Sequence, residues 1–544
     1  MIGEELKYTI DGATSFGSRL EIHLPSDCSK DFKIVIKYGT TSKCQALLWM
    51  EPNQTSGGVH PFVFSQCQSI LARSMLPCQD TPSLKATYSA SVTAPKGINV
   101  LMSAIRQEEN KTVSGDKVMF SFEQKVPVMS YLIAVAAGDL KSKKIGPRSH
   151  IWSEEKYLEM AAFDFSETEK MLQTAEDLCG SYVWGIYDIL VLPPSFSFGG
   201  MENPCLTFVT PTLLSGDKSN STTIAHEIVH SWTGNLVTNV NFEHFWLNEG
   251  FTKFTECKIM GRLHGESYRH LLGIRDWPSL VECVNKNFGA DHPLTCLVPD
   301  LKGVDPEDAF SVVPYQKGQA FLYYLETAVG GASEFEPFLK SYYDKFKYQS
   351  ISTNDFKDYF LDYFASCEAV KAVDWDTWLY APGMPPVKPA FDTSLASPVY
   401  DLADKWRKWS LDTSVPCPFN QEDIASFNPI QTMEFLNSLF NGEPITLPAI
   451  EKLTERYKFN ESPNKEILYR WIRLGLRLKY EASANSAVDL VTEVGRGKYV
   501  VPIYKDLYAW TEKRQLALDT FEATRFKLML STRNDVAKAL GVKQ

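Results

Sequence analysis

The first part of the chain shows apolar positions alternating with polar ones, the pattern of half-buried β-strands. Between Phe32 and Tyr38 apolar side chains mostly alternate with lysines, and the segment 118–122 repeats the pattern. A period of two places one face of each strand against a core. A turn signal, Ser-Gly-Asp at 114–116, separates runs of this kind. The pattern predicts an N-terminal β-sheet domain over residues 1–140.

Beyond residue 140 the periodicity becomes mixed. Residues 155–178 follow helical spacing, and the apolar run 189–192 is typical of a buried strand that ends at two prolines. Helix, loop and helix follow between 223 and 256. We therefore expect a second domain of mixed helix and sheet over 141–381.

Prolines crowd the next segment, which we interpret as a linker over 382–398. After it, Ile467, Trp471 and Leu474 recur at helical spacing. This indicates a C-terminal α-helical domain over 399–544, arranged as stacked helix pairs of the armadillo/HEAT type. The predicted fold class is multidomain α+β.

Composition and charge restrict the compartment and the partners. A net charge of −11 argues against a nucleic-acid partner, and 44% hydrophobic with 22% charged residues is ordinary for a soluble globular protein. The eleven cysteines are odd in number and lack C-x-x-C pairs, which fits reduced thiols. We find neither a signal peptide nor an apolar run long enough to span a membrane. We expect a cytoplasmic monomer.

The strongest chemical signal is an H-E-x-x-H array at His226, Glu227 and His230, followed by Glu249 in a Leu-Asn-Glu segment. On a helix, positions i and i+4 share a face, so the two imidazoles can bind one Zn²⁺ and Glu249 can complete the site. Glu227 would sit beside the open position and accept a proton from the attacking water. The alternative is a structural histidine pair without metal.

Two further stretches could contribute to the same site. The adjacent Gly199 and Gly200 before Met201 and Glu202 would let a peptide pair with the backbone, with Glu202 holding its protonated α-amine. The alternative there is a plain turn before a strand. Tyr315 could donate a hydrogen bond to an oxyanion, although most of the 24 tyrosines must be packing residues.

Several motifs together resemble a known family. They are GGMEN, HEIVHSWTGNLVT, HFWLNEG, VPYQKG, YVWGIYDILVLPPSF, FSQCQSI and LPCQDTPS, and they extend over nearly the whole chain. The combination resembles the M1 metallopeptidases, zinc aminopeptidases with a thermolysin-like catalytic domain, and within them the branch of leukotriene A(4) hydrolase and aminopeptidase B. The resemblance is far more specific than H-E-x-x-H alone.

The resemblance implies a role for each matched position. His226, His230 and Glu249 match zinc ligands, Glu227 the general base and Tyr315 the transition-state tyrosine. The positions that match substrate-binding residues are Glu202, Gly199, Gly200, Met201, Gln66, Gln68, Arg496 and Lys498. The last two match a basic pair that receives a substrate carboxylate, which suits the planar fork of an arginine. Without the family context, a solvated basic turn would be the better interpretation of that pair.

Two departures from the family pattern stand out. Glu307, also expected to line the substrate site, replaces the Asp of the lipid-hydrolysing members, and Phe310 stands where many have Tyr. One extra methylene moves a carboxylate by about 1 Å, which puts epoxide hydrolysis in doubt but not peptidase chemistry. The GGMEN motif also comes earlier than the resemblance implies, so we expect the N-terminal β-domain to be incomplete at its start.

These observations predict a zinc aminopeptidase with one Zn²⁺ that acts on short peptides. A fatty-acid epoxide of the leukotriene A(4) type is the second substrate that the resemblance allows. The alternatives are an endopeptidase, which has no use for Glu202, a pure lipid epoxide hydrolase, and a non-catalytic peptide-binding or scaffold protein.

Overall fold

The computed structural model describes residues 5–28 and 31–543. The regular elements of the N-terminal part are almost all β-strands, as predicted. Its elements are β1 Tyr8–Ile10, β2 Leu20–Ile22, β3 Leu47–Met50, β4 Phe62–Ser65, α1 Ala72–Met75, β5 Ala86–Pro95, β6 Asn99–Met102, β7 Ile105–Arg106, β8 Thr112–Ser114, β9 Lys117–Val128 and β10 Val135–Gly138.

Two small antiparallel sheets, ordered β3-β4-β10-β6 and β5-β9-β7, enclose an apolar core that includes Val100, Phe120 and Phe122. The predicted turn at 114–116 connects β8 to β9. The prediction of a strand between Phe32 and Tyr38 is wrong, because this segment is exposed and forms no strand. A strand needs a neighbour for its N–H and C=O groups, and among the described residues no strand pairs with it.

The middle part carries a five-stranded sheet and a set of helices. Its elements are β11 Lys141–Lys144, β12 His150–Ser153, α2 Glu155–Asp164, α3 Thr168–Cys179, β13 Asp188–Val191, β14 Gly200–Met201, β15 Leu206–Val209, α4 Thr222–Val229, β16 Thr238–Asn239, α5 Trp246–His264, α6 Glu266–Glu282, α7 Val313–Ala328, α8 Ala332–Phe346, β17 Ser350–Ile351, α9 Thr353–Tyr363, α10 Glu368–Lys371 and α11 Trp375–Tyr380.

The sheet runs in the order β11-β12-β13-β15-β14, so β14 lies at an edge. The helical pattern over 155–178 is interrupted, because α2 ends at Asp164 and α3 begins at Thr168. The side chain of Asp164 turns instead to the backbone N–H groups of Ser215, Gly216 and Lys218, at 2.9–3.0 Å. This contact secures the loop that leads into α4.

The C-terminal part is helical, as predicted. Its helices are α12 Ser397–Ser410, α13 Pro429–Asn441, α14 Leu447–Tyr457, α15 Lys465–Arg477, α16 Glu481–Glu493, α17 Gly497–Ala509, α18 Arg514–Thr524 and α19 Leu530–Leu540. Alternate helices pack side by side, α13 on α15, α15 on α17 and α17 on α19, which gives the layered stack of a helical solenoid. Within the described part of the chain, none of the helices has the length and apolarity that crossing a membrane requires.

Candidate active site

Three side chains meet at one point between α4 and α5. The Nε2 atoms of His226 and His230 lie 3.2 Å apart, and Oε2 of Glu249 lies 3.4 Å from the first and 3.3 Å from the second. Ligand atoms bound tetrahedrally to Zn²⁺ at about 2.0–2.1 Å stand about 3.3 Å from one another. Oε2 of Glu249 is buried and accepts no hydrogen bond. The predicted ligands are therefore brought together in a geometry that fits Zn²⁺.

A different partner holds the second ring nitrogen of each imidazole. Nδ1 of His226 lies 3.0 Å from Oε2 of Glu256, and Nδ1 of His230 lies 2.8 Å from the carbonyl oxygen of Thr233. These contacts leave both Nε2 atoms facing the metal position. Glu256 was not predicted from the sequence, although its spacing of seven residues from Glu249 places both carboxylates on one face of α5.

Burial and charge act differently on the two central carboxyl groups. Burial opposes ionisation of Glu249, but the two imidazoles outweigh it and lower the pKa of Glu249 to about 2. Burial dominates at Glu227 and raises its pKa to about 8. A nearby metal cation favours the ionised form of both groups. Glu249 therefore suits a metal ligand, and Glu227 suits an acceptor and donor of protons near neutral pH.

The edge strand β14 brings backbone into contact with Glu227. A Cβ atom on Gly200 would lie 2.2 Å from Oε1 of Glu227, so only glycine permits this approach. Gly200 and Met201 pair with β15 on one side only, and the other side can accept an extended peptide as an added strand. Sδ of Met201 lies 3.3 Å from Nε2 of Gln66, which reaches the site from the N-terminal part.

Glu202 follows β14 directly and lies beside the metal-binding group. Its carboxylate, that of Glu227 and the His230 ring have atoms within 4.8 Å of one another. Nε2 of Gln68 donates to Oε1 of Glu202 at 3.1 Å, and Nδ2 of Asn235 donates to its backbone oxygen at 2.8 Å. Both predicted glutamines therefore contact the residues expected to bind substrate.

Tyr315 lies in the first turn of α7 and faces His226, with ring centroids 6.1 Å apart and an interplanar angle of 19°. Two glycines allow α5 and α7 to cross closely, because a Cβ atom on Gly318 would lie 2.8 Å from Cα of Gly250. This crossing brings Tyr315 to the metal-binding group. Burial raises the pKa of Tyr315 well above its ordinary value, so the phenol stays protonated and can donate.

The two departures from the family pattern lie where the N-terminal part meets α7. Oε1 of Glu307 accepts a hydrogen bond from the backbone N–H of Ser69 at 2.9 Å. The ring of Phe310 packs edge-on against Tyr315 and Phe198, each at 6.2 Å. Glu307 thus already has a backbone partner, and Phe310 forms part of the wall beside Tyr315.

Arg496 and Lys498 both contact the carboxylate of Glu466, a residue that was not predicted from the sequence. Nζ of Lys498 donates to both oxygens of Glu466, at 2.8 and 2.9 Å, and Nη1 of Arg496 donates at 3.2 Å. Nε of Arg496 has no hydrogen-bond partner, and a Cβ atom on Gly199 would lie 2.9 Å from Nη2. The free side of the Arg496 guanidinium therefore faces the residue that precedes β14, whereas the Lys498 ammonium is engaged by Glu466.

Comparison with known proteins agrees with this geometry. The Peptidase M1 N-terminal domain matches residues 7–132, the Peptidase family M1 domain matches 163–378, and the domain described as Leukotriene A4 hydrolase, C-terminal matches 427–540. Leukotriene A-4 hydrolase of Xenopus laevis is 44% identical over 99% of this chain and 89% of that protein. The chain belongs to peptidase family M1.

Other M1 relatives show the same extent of similarity. Leucine aminopeptidase 2 of Coccidioides immitis is 42% identical over 93% of this chain and 82% of its own length. The solved structure of yeast LTA4 hydrolase in complex with bestatin superposes with a TM-score of 0.92 at 38% identity, covering 99% of this chain and 88% of that one. The predicted family and three-part fold class are confirmed. As an M1 metallopeptidase, the protein uses one zinc ion, which the three converging ligands fit.

Proposed function

We propose that this M1 peptidase removes single residues from the free N-terminus of short peptides. The position of Glu202 carries the proposal. Its buried carboxylate lies within 4.8 Å of Glu227 and His230, so a protonated α-amine held there would leave room for one residue before the scissile bond. The similarity to proteins named leucine aminopeptidase 2 supports the same activity.

Backbone and charge together align the substrate. The peptide adds to the free side of β14, where Gly200 and Met201 offer backbone groups. Its amine binds Glu202 at one end. In a peptide of about three residues, the terminal carboxylate meets the unbonded side of Arg496 at the other end. We propose that Glu466 is the counter-ion that holds Arg496 in this orientation.

Hydrolysis then depends on two side chains beside the scissile carbonyl. When bound, Zn²⁺ supplies Lewis-acid polarisation of this carbonyl and makes the attacking water more acidic. The carboxylate of Glu227 accepts the proton of that water and later delivers a proton to the leaving amine. The protonated phenol of Tyr315 donates a hydrogen bond to the oxygen on which negative charge develops.

The proposal is tested with zinc-loaded protein and three substrates: leucyl-anilide, its N-acetylated form, and a blocked internal peptide. We expect cleavage of leucyl-anilide alone, loss of cleavage with a zinc chelator, and recovery when zinc is returned. Glu202→Gln should lower the rate on leucyl-anilide by about 10²-fold or more. Cleavage of blocked peptides that persists in Glu202→Gln would show an endopeptidase instead.

A second activity, hydrolysis of a fatty-acid epoxide, has one observation in its favour. A surface cleft lies beside Pro314, the residue before Tyr315, and its lining includes the apolar side chains of Trp246, Leu297 and Phe310. These side chains offer apolar contacts to an acyl chain, and the similarity to leukotriene A-4 hydrolase points the same way. Glu307, however, is held by Ser69 N–H, which restrains it from orienting a water. We propose weak epoxide hydrolysis, to be tested by incubation with leukotriene A(4) and analysis of the diol products.

We also propose that the enzyme works in a reducing compartment, the cytoplasm. All eleven cysteines are free thiols, and five of them are buried. Buried thiols that pair with nothing are typical of proteins kept reduced. Fractionation of cells that express a tagged full-length chain tests this location.

A further inference from the structure

A lysine of the N-terminal part is inserted against the loop that follows the second zinc-binding histidine. Lys85 directly precedes β5, and its Nζ donates to the backbone oxygens of Asn235 and Leu236, at 3.2 and 2.8 Å. Among the residues that the structure describes, it forms an ion pair with none of the carboxylates. The contact joins two parts of the fold that are 150 residues apart in the chain.

This arrangement is unfavourable for stability alone. A partly buried ammonium loses part of its hydration, and two carbonyl oxygens replace only some of what is lost. Burial lowers the pKa of Lys85 to about 7, with no acidic neighbour acting in the other direction. A methionine of similar length would fill the same space without this cost. A lysine placed here despite this unfavourable free energy points to a function in the substrate site next to the loop that it contacts.

The loop that Lys85 holds is connected to the residue proposed to bind the substrate amine. Nδ2 of Asn235 donates to the backbone oxygen of Glu202 at 2.8 Å. Lys85 binds the carbonyl of that same Asn235 and therefore fixes the peptide group from which its side chain extends. The side-chain carboxylate of Glu202 accepts a hydrogen bond from Nε2 of Gln68 at 3.1 Å. The N-terminal part thus restrains the amine anchor from two directions.

We propose that Lys85 is a positioning residue that acts through Asn235 to hold Glu202 in place for the substrate α-amine. The proposal rests on the proposed aminopeptidase function. It concerns binding of the amine and does not concern the chemical step. Lys85 touches neither the metal ligands nor Glu227, so its loss should affect recognition of the amine without affecting zinc.

The test compares two inhibitors that differ only in the amine, leucine hydroxamate and its desamino analogue 4-methylpentanoyl hydroxamate. Both can bind zinc, but only the first can reach Glu202. In the wild type the amine should tighten binding. In Lys85→Met the ratio of the two inhibition constants should fall about tenfold, with the desamino compound binding as before. Zinc content and melting temperature should not fall.

Ser350→Ala is the matched control. Oγ of Ser350 donates to the carbonyl of Pro82 at 2.6 Å, so this variant removes another hydrogen bond between the same two parts without contacting Asn235. It should leave the inhibitor ratio unchanged. In an Asn235→Ala background, Lys85→Met should add no further loss, because both changes interrupt one path.

Three results would overturn the inference. An unchanged ratio in Lys85→Met would show that Glu202 does not depend on Lys85. Equal weakening of both inhibitors would show a general loss of structure rather than a loss of amine binding. A wild-type ratio near one would reject amine anchoring itself, and the proposed function with it, before any variant is made.

Discussion

The contact between β14 and Glu227 leads to the sharpest prediction, for Gly200→Ala. The added Cβ atom would lie 2.2 Å from Oε1, 2.5 Å from Cδ and 2.8 Å from Cγ of Glu227. An ordinary contact begins at 3.4 Å, so the carboxyl group must move by about 1.2 Å or β14 must leave its sheet. The first change misplaces the proton acceptor, and the second misplaces the strand that pairs with the peptide.

A displacement of about 1 Å from a reacting geometry costs about 10²-fold in rate. We therefore expect kcat on leucyl-anilide to fall about 100-fold in Gly200→Ala, which equals about 2.7 kcal/mol of activation free energy. The zinc ligands do not contact this Cβ position, so zinc content should stay at one per chain. The assay is steady-state hydrolysis of leucyl-anilide at saturating zinc, with metal content measured on the same sample.

Gly199→Ala is the matched comparison, one residue earlier. Its Cβ atom would meet Nη2 of Arg496 at 2.9 Å instead of Glu227. It should weaken binding of tripeptides with a free carboxylate and leave leucyl-anilide hydrolysis within about threefold of wild type. If Gly200→Ala retains more than a third of wild-type kcat with full zinc, Glu227 is not placed by this contact and the reasoning fails.

Three further predictions concern Glu249, Glu466 and Lys85. Glu249→Ala should lose zinc on dialysis while the wild type retains it, because one of three ligands is gone; metal analysis checks this. Glu466→Gln should lower kcat/KM about tenfold for a tripeptide but not for its C-terminal amide, since Arg496 loses its counter-ion. In the folded protein the pKa of Lys85 is about 7, against an ordinary value of 10.5. Between pH 7 and 10 the folded lysine is therefore mostly neutral while the unfolded one still holds its proton. The free energy of unfolding of the wild type, measured with urea, should rise over this range relative to that of Lys85→Met.

The local parts of the site could be predicted from the sequence. The spacing of His226 and His230 follows from one helical turn, and Glu249 lies on the next long helix. Helices with strong periodicity were also predicted at their positions, as for α15. These features depend on residues close together in the chain, where periodicity and motif spacing act directly.

Features that depend on distant contacts could not be predicted. The segment between Phe32 and Tyr38 does alternate apolar with polar residues, but a strand also needs a neighbouring strand to bond with. Periodicity carries no information about that neighbour. The break between α2 and α3 reflects Asp164 binding a loop more than 50 residues away. Lys85 and Glu466 carry no local motif at all, and only their contacts, 150 and 30 residues away, identify them.

The residues that local motifs predict and the residues that only distant contacts identify have different roles in the site. The groups proposed for bond breaking lie on α4, α5 and α7 within the middle part, and Glu202, proposed to bind the amine, follows β14 in the same part. The side chains that position Glu202, and the one proposed to bind the far end of the peptide, come from the other two parts. Gln68 and Lys85 restrain the amine anchor from the N-terminal part, and Arg496 faces the far end from the helical part. Because a short peptide should bind most tightly when both of its ends are held, the length that binds best is set by how the three parts pack. Changes at their junctions should therefore alter substrate selection while the rate of the chemical step is preserved.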